Sequence, residues 1–241
     1  RCAASVEPNG EEEIAVLRCD RLMMELLHST SSDAYNCFLT GSNNFRRKVN
    51  PEYKANRKDK EPPRFLQQCR EFLIKEWNAQ VSDGCEADDL LGIYQQEEDT
   101  KIISLDKDLL MVPGWHYNWL HSDTTFTTPL DGLRKFYKQM LIGDVSDNIQ
   151  GVKGIGKVKA SKLIDDLEEE SDMISTVLKL YDEDLYRFVM NAQCLWIMQE
   201  EGVTWADRVD LLILPRILQH EAAVMSNSMK YLKADISTEH I

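Results

Sequence analysis

The stretch IISLDKDLL, residues 102–110, decides the fold reading, because a short, largely apolar run ends abruptly in two carboxylates, Asp106 and Asp108. A run of that length reads as a buried strand over Lys101 to Leu105. Alternation along a strand points Asp106 and Asp108 to one side of its carboxyl end. A plainer reading, in which Asp106 caps a short helix starting at Lys107, stands beside it.

Two further acidic runs lie outward from this one. GCEADDLLG, residues 84–92, carries Glu86, Asp88 and Asp89 in the opening turn of a helix expected over Glu86 to Gln96. The helix dipole favours anions there, although an acidic helix cap is an equally ordinary use of such a run. IGDVSDNIQGVKGIGKVKASKLI, residues 142–164, carries Asp144 and Asp147, three apart and able to face one point if the turn is helical. A solvated loop is the alternative. Taken together, the three runs fall at the mouth of one predicted sheet. Seven carboxylates converging there repel one another unless cations sit among them. Hard divalent ions with oxygen ligands meet that need, Mg²⁺ first and Mn²⁺ as a substitute. Two such ions about 4 Å apart can activate water and stabilise the leaving oxygen of a phosphodiester.

The surrounding chain reads as strands and helices in alternation. Helices are expected over residues 11 to 28 and from Arg64 to Trp77, with strands over Ala34 to Leu39 and at Val81. This pattern predicts an α/β fold with a mostly parallel central sheet flanked by helices, and ligands gather outside the carboxyl ends of such strands. Beyond Thr127 the pattern is helical, over Pro129 to Ile142, Lys157 to Leu167, Asp172 to Tyr181, Asp184 to Glu200 and Trp205 to about Lys233. The expected organisation is a core over 1–126, a helical part over 127–233 and a tail over 234–241.

With 241 residues and 43% apolar content, the chain can bury a core of one large domain. No run approaches the roughly 18 consecutive apolar residues of a membrane span, and no secretory segment opens the sequence. Six cysteines without C-x-x-C spacing read as free thiols, and the expected compartment is the cytoplasm. No Ser/His/Asp or Cys/His arrangement is visible.

A net charge of -13 argues against a general polyanion binder, yet the distribution is uneven. Between Arg46 and Lys60 seven basic residues, among them Lys58, face two acidic ones. There Tyr53 is a candidate to stack on an unpaired base, with Lys54 and Arg57 as contacts to a scissile phosphate. A solvated basic helix face is the bland alternative. In GVKGIGK, residues 151–157, Gly151, Gly154 and Gly156 would let backbone amides approach a phosphate. Lys157 and Lys159 follow and favour a sequence-independent grip on nucleic acid.

Four of these segments, in this order, resemble the structure-specific 5′ nuclease family: bacteriophage 5′ to 3′ exonucleases, flap endonucleases and the N-terminal nuclease domain of bacterial DNA polymerase I. GCEADDLLG is similar to the family's acidic helix start, and SLDKDLL to its strand-end acidic pair. GDVSDNIQGVKGIGKVKA is similar to its combined metal and helix-two-turn-helix motif, and FRRKVNPEYKANR (45–57) to the arch that clamps single strands. The resemblance implies a PIN-like core with an arch over 45–61. It implies a first Mg²⁺ on Glu86, Asp88 and Asp89 and a second on Asp106, Asp108, Asp144 and Asp147. Lys54 becomes the catalytic lysine, Arg57 its phosphate-binding neighbour, and Arg46, Tyr53 and Lys58 DNA contacts. A helix-two-turn-helix at 147–164 would hold duplex, with its carbonyls a site for K⁺. The implied substrates are DNA 5′ ends, flaps and branches, with RNA-DNA hybrids in addition. The implied enzyme is a monomer in a bacterial or phage-infected cell, with no membrane partner.

Two departures accompany the resemblance. The family's opening strand with its aspartate is expected upstream of Arg1, and Thr40-Gly41-Ser42-Asn43-Asn44 lacks the aspartate usual after the next strand. These favour as the rival a DNA-binding accessory protein with a weakened first metal site. A third reading, a carboxylate nuclease acting on RNA alone, has no use for the glycine-lysine hairpin.

Overall fold

The computed structural model describes residues 2–6, 10–58, 61–182 and 184–209. Its elements are α1 (Glu12–Thr30), β1 (Phe38–Leu39), α2 (Arg46–Val49), α3 (Leu66–Glu76), β2 (Gln80–Val81), α4 (Ala87–Tyr94) and β3 (Lys101–Ile103). After these come β4 (Gly114–Asn118), β5 (Asp123–Thr127), α5 (Pro129–Ile142), β6 (Gly143–Asp144) and β7 (Ile149–Gln150), then α6 (Lys157–Ile164), α7 (Glu170–Leu180) and α8 (Leu185–Leu195). The expected helix beyond Trp205 is described only as far as Val209, and the expected tail lies outside the described residues.

The pivot of the molecule is α5, and its ends are written in the sequence. Thr128 accepts a hydrogen bond from the Asp131 backbone N–H at 3.1 Å, and Pro129 fills the first helical position, where its missing N–H costs nothing. Gly143 ends the helix at φ +78°. A Cβ there would lie 2.3 Å from the Gly151 nitrogen, so only glycine lets the 143–150 hairpin fold back on the helix. Phe136, Tyr137, Met140 and Leu141 bury one face of α5 against α6, α7 and α8. That cluster takes in Tyr53, Ile102 and Met111 from one side of the expected 126/127 boundary and Phe188, Trp196 and Trp205 from the other.

The fold is α/β, but among the described residues its strands form three small sheets instead of one broad one. β1 and β2 pair in parallel through two residues each, and β3 pairs in parallel with β4. β4 and β5 form an antiparallel hairpin, as do β6 and β7. Strands of two residues leave few ladder bonds to join one sheet to the next. The β4–β5 hairpin escaped the sequence reading, although its Thr and Phe content favours strand and Trp115 stacks edge-on against Phe126 at 5.0 Å. Residues 147–164 hold one helix, α6, preceded by β7 and the glycine turn.

All six cysteines are free thiols. Among the described residues no helix is long and apolar enough to cross a membrane.

Candidate active site

The four motif segments meet at one cleft of about 220 Å³, lined by Tyr53, Lys54, Arg57, Glu86, Asp88, Asp106, Asp108, Asp144 and Asp147. Each carboxylate arrives from the end of an element. Glu86 caps α4 and Asp88 sits in its first turn; Asp106 and Asp108 follow β3; Asp144 ends β6 and Asp147 lies in the β6–β7 turn. Thr40, Gln139 and Ser146 also line the cleft, and sequence reasoning missed them. Gln139 and Lys135 lie four apart on α5, and that spacing of two polar residues on one helix face was the available signal. The Lys135 ammonium stands 3.5 Å from Asp108.

One wall of the cleft is neutralised by cations. Glu86 accepts from Lys54 Nζ at 2.5 Å through Oε1, and Asp147 accepts from Arg57 Nη2 at 2.5 Å through Oδ1. Lys54 Nζ is also 3.5 Å from Asp147 Oδ2. The opposite wall is carboxylate-rich. Burial, reinforced by the charges of Asp106 and Glu86, pushes the Asp88 carboxyl from 3.8 up to about 7. Burial and Asp106 also raise Asp108, against the opposing charge of Lys135.

The donor chemistry of this wall fits a hard divalent ion, since crowded, partly desolvated carboxylates are what such an ion relieves. Among the described residues, no three carboxylate, histidine or cysteine side chains stand close enough to enclose a metal by themselves. Glu86 and Asp147 are turned onto Lys54, Arg57 and Tyr53.

Three residues expected at a ligand or substrate lie elsewhere. Asp89 is 0% exposed and faces the core: it receives Arg46 through Nη1 at 2.5 Å and Nη2 at 2.7 Å, the Met198 N–H at 3.0 Å and the Glu86 N–H at 2.9 Å. Its two oxygens are thus fully engaged by four donors. Arg46, expected on DNA, is 2% exposed, with its remaining donors on the Cys194 and Trp196 carbonyls at 2.9 and 2.6 Å. Such a guanidinium has no face left for a phosphate. Tyr53, expected to stack on a base, is 3% exposed with its ring in the core cluster.

The remaining basic candidates are on the surface. Lys58, Lys157 and Lys159 are exposed, as is Gly156, which precedes α6. Gly154 turns the chain at φ +78° with open space around it. Gly151 packs tightly instead: a Cβ there would meet the Ile142 carbonyl carbon at 2.3 Å. Within Thr40 to Asn44, where the sequence carries no carboxylate, a Cβ on Gly41 would lie 2.1 Å from the Ser82 carbonyl oxygen. That position has no room for a side chain.

Residues 3–136 match the family described as 5′-3′ exonuclease, N-terminal resolvase-like domain, and the chain belongs to that family. It is 33% identical over 143 residues to DNA polymerase I of Borreliella burgdorferi, covering 50% of this chain and 15% of the polymerase. It is 34% identical over 113 residues to a 5′-3′ exonuclease of Mycoplasma genitalium, covering 39% of this chain and 37% of that one. Against the 5′-3′ exonuclease of Bacillus subtilis, identity is 31% over 156 residues, covering 55% of this chain and 51% of the relative. The matched stretches therefore span about half or less of these relatives. Among solved structures, the fold is similar to the T5 5′-exonuclease bound to zinc, with TM-score 0.55 and 20% identity over 73% of this chain and 79% of that one. It is also similar to the bacteriophage T5 flap endonuclease in a complex with DNA and metal ions, with TM-score 0.52 and 18% identity over 75% and 78% of the two chains.

Proposed function

We propose that this chain is the nuclease unit of a metal-dependent 5′ to 3′ exonuclease and flap endonuclease that hydrolyses phosphodiesters at 5′ ends and single-strand branches of duplex DNA and removes RNA from RNA-DNA hybrids. The observation that supports it most is the meeting of six carboxylates, from three separate acidic runs, with Lys54 and Arg57 in one open cleft. Two divalent ions, Mg²⁺ or Mn²⁺, would there supply an activated water and neutralise the leaving oxygen. Glu86 and Asp88 are the ligands proposed for the first. Asp106, Asp108, Asp144 and Asp147 are those for the second, and Asp89 supports them from behind. Lys54 and Arg57 would hold the scissile phosphate by its non-bridging oxygens and offset the charge that grows there.

Downstream duplex would lie on the glycine turn and α6, within the 147–164 segment read as a helix-two-turn-helix. The exposed Lys157 and Lys159 then meet phosphates, and backbone carbonyls of the turn offer a K⁺ site. Lys58 would face the single strand. The unit would act as a monomer in the cytoplasm of a bacterial or phage-infected cell, during DNA replication.

The rival, a DNA-binding accessory protein with a weakened first site, is favoured by two observations: Asp89 is committed to Arg46, and Gly41 has no room for a carboxylate. Incubation of a 5′-flap duplex with the full chain and Mg²⁺ separates the two. Cleavage that disappears in Asp147→Asn, with flap binding in Ca²⁺ retained, supports the nuclease. Binding without any metal-dependent cleavage supports the rival.

A further inference from the structure

Tyr53 stands between the two walls of the cleft. Its hydroxyl lies 2.9 Å from Glu86 Oε2 and 2.9 Å from Asp147 Oδ2. Those carboxylates belong to different acidic runs, 61 residues apart in sequence, and under the proposed function they belong to different metal sites. The phenol is fixed from behind. Its ring is 3% exposed within the main apolar cluster, and its backbone N–H is bonded to the Asn50 carbonyl at 3.0 Å. The next residue, Lys54, sits at φ +55° and donates its backbone N–H to the Asp147 carbonyl at 2.9 Å. Asn56 and Arg57 bond the carbonyls of Val145 and Ser146 at 2.8 and 3.0 Å, and Asn148 bonds that of Glu52 at 2.9 Å. Four links thus strap the 52–57 segment over the β6–β7 turn, and the hydroxyl extends the strap to the start of α4.

We infer that Tyr53 is a positioning residue whose hydroxyl sets the separation of Glu86 and Asp147, and hence how tightly the cleft takes a pair of divalent ions. This rests on the metal-dependent reading of the site. A platform for a nucleic-acid base needs an accessible ring face, and this ring faces the core. What the site can use is the polar tip, because an O–H held at fixed height by a buried ring is a rigid spacer between two anions. Without it the two carboxylates are held mainly by the flexible Lys54 and Arg57 side chains, and a bound ion must itself fix their separation.

The variant Tyr53→Phe keeps the ring and removes the tip. Titration of the full-length chain with Mn²⁺, followed by the electron paramagnetic resonance signal of the free ion, should show affinity roughly tenfold weaker in Tyr53→Phe, as expected for one lost hydrogen bond to a charged group. Binding of a 5′-flap duplex in chelator should be unchanged. A stacking residue gives a different pattern, since phenylalanine stacks as well as tyrosine and both affinities would stay the same. Equal Mn²⁺ affinity in the two proteins therefore overturns the inference and leaves the metal-dependent reading standing. Absence of Mn²⁺ binding by the unaltered chain overturns both. Where Tyr53→Phe does not fold, the ¹³Cζ resonance of Tyr53 in the unaltered chain answers instead. It should shift as Mg²⁺ is added, with the midpoint of metal binding, and a resonance that does not move overturns the inference.

Discussion

Replacing Asp89 with asparagine tests whether the middle of the GCEADDLLG run is structure or ligand. The substitution keeps the shape and removes the charge opposite Arg46, whose guanidinium is 2% exposed and has no other anion within hydrogen-bond distance among the described residues. Glu86 is the nearest other carboxylate, at 4.0 Å from Nη1, and it is already held by Lys54 and Tyr53. An asparagine also turns an NH₂ group toward donors, either Arg46 or the Met198 and Glu86 N–H groups, so at least one bond becomes a clash of donors. Breaking a buried ion pair from one side costs about 3–5 kcal/mol. For a chain of this size each kcal/mol moves the melting midpoint by about 2–4 °C, so the expected fall is roughly 6–20 °C. Urea melts should show the same loss in midpoint with an unchanged slope. Asp89→Asn protein that melts within about 2 °C of the parent but binds Mn²⁺ much more weakly would refute this reasoning and make Asp89 a ligand.

Two other outcomes follow from the same geometry. Asp88 has a folded-state pKa of about 7 against 3.8 when unperturbed, so between those values the folded chain holds more protons than the unfolded one. Its contribution to metal-free stability is therefore complete below about pH 4 and lost as pH rises toward 7, and Asp88→Asn should flatten that part of the profile in chelator-treated urea melts taken across the range. Lys157→Ala and Lys159→Ala should each reduce the slope of log affinity for duplex DNA against log salt by about 0.9, with cleft metal binding unchanged; slopes identical to the parent would remove α6 from the DNA interface.

The parts of the fold governed by local rules were legible in the sequence. Thr128-Pro129 and Gly143 give both ends of α5, and the break from Ile103 to Asp106 gives the end of β3. The convergence of carboxylates was legible too, because acidic residues at element ends have little structural use in such number. The division of labour between Asp88 and Asp89 was not. Neighbouring helix positions differ by about 100° of rotation, so one faces the cleft and the other the core. The partner that claims Asp89 lies 43 residues earlier in the chain. The spacing Glu86-x-x-Asp89 was itself a clue, as it is the spacing of a capping box, and Asp89 does accept from the Glu86 N–H. Arg46 and Tyr53 were misplaced for a related reason: a basic, aromatic segment reads as surface, and nothing local reveals that two of its members are threaded into the core.

That threading bears on how the cleft works. The 45–57 segment places four side chains, Arg46, Tyr53, Lys54 and Arg57, within reach of Asp89, Glu86 and Asp147, so the carboxylates are held apart mainly from a third element and not by their own helices and loops. Arg46 is locked, with every bond directed at buried acceptors. Lys54 and Arg57 are not, since each reaches the cleft through a flexible side chain with solvent on one side. A cation that takes Glu86 or Asp147 must compete with those two basic groups for the same oxygens. The groups it releases are the ones that would then face a phosphate, and they would be freed beside the carboxylates proposed to bind the ion. On the proposed function, metal loading and phosphate capture are thereby coupled through shared acceptors, while Arg46 and Tyr53 keep the acceptors in place.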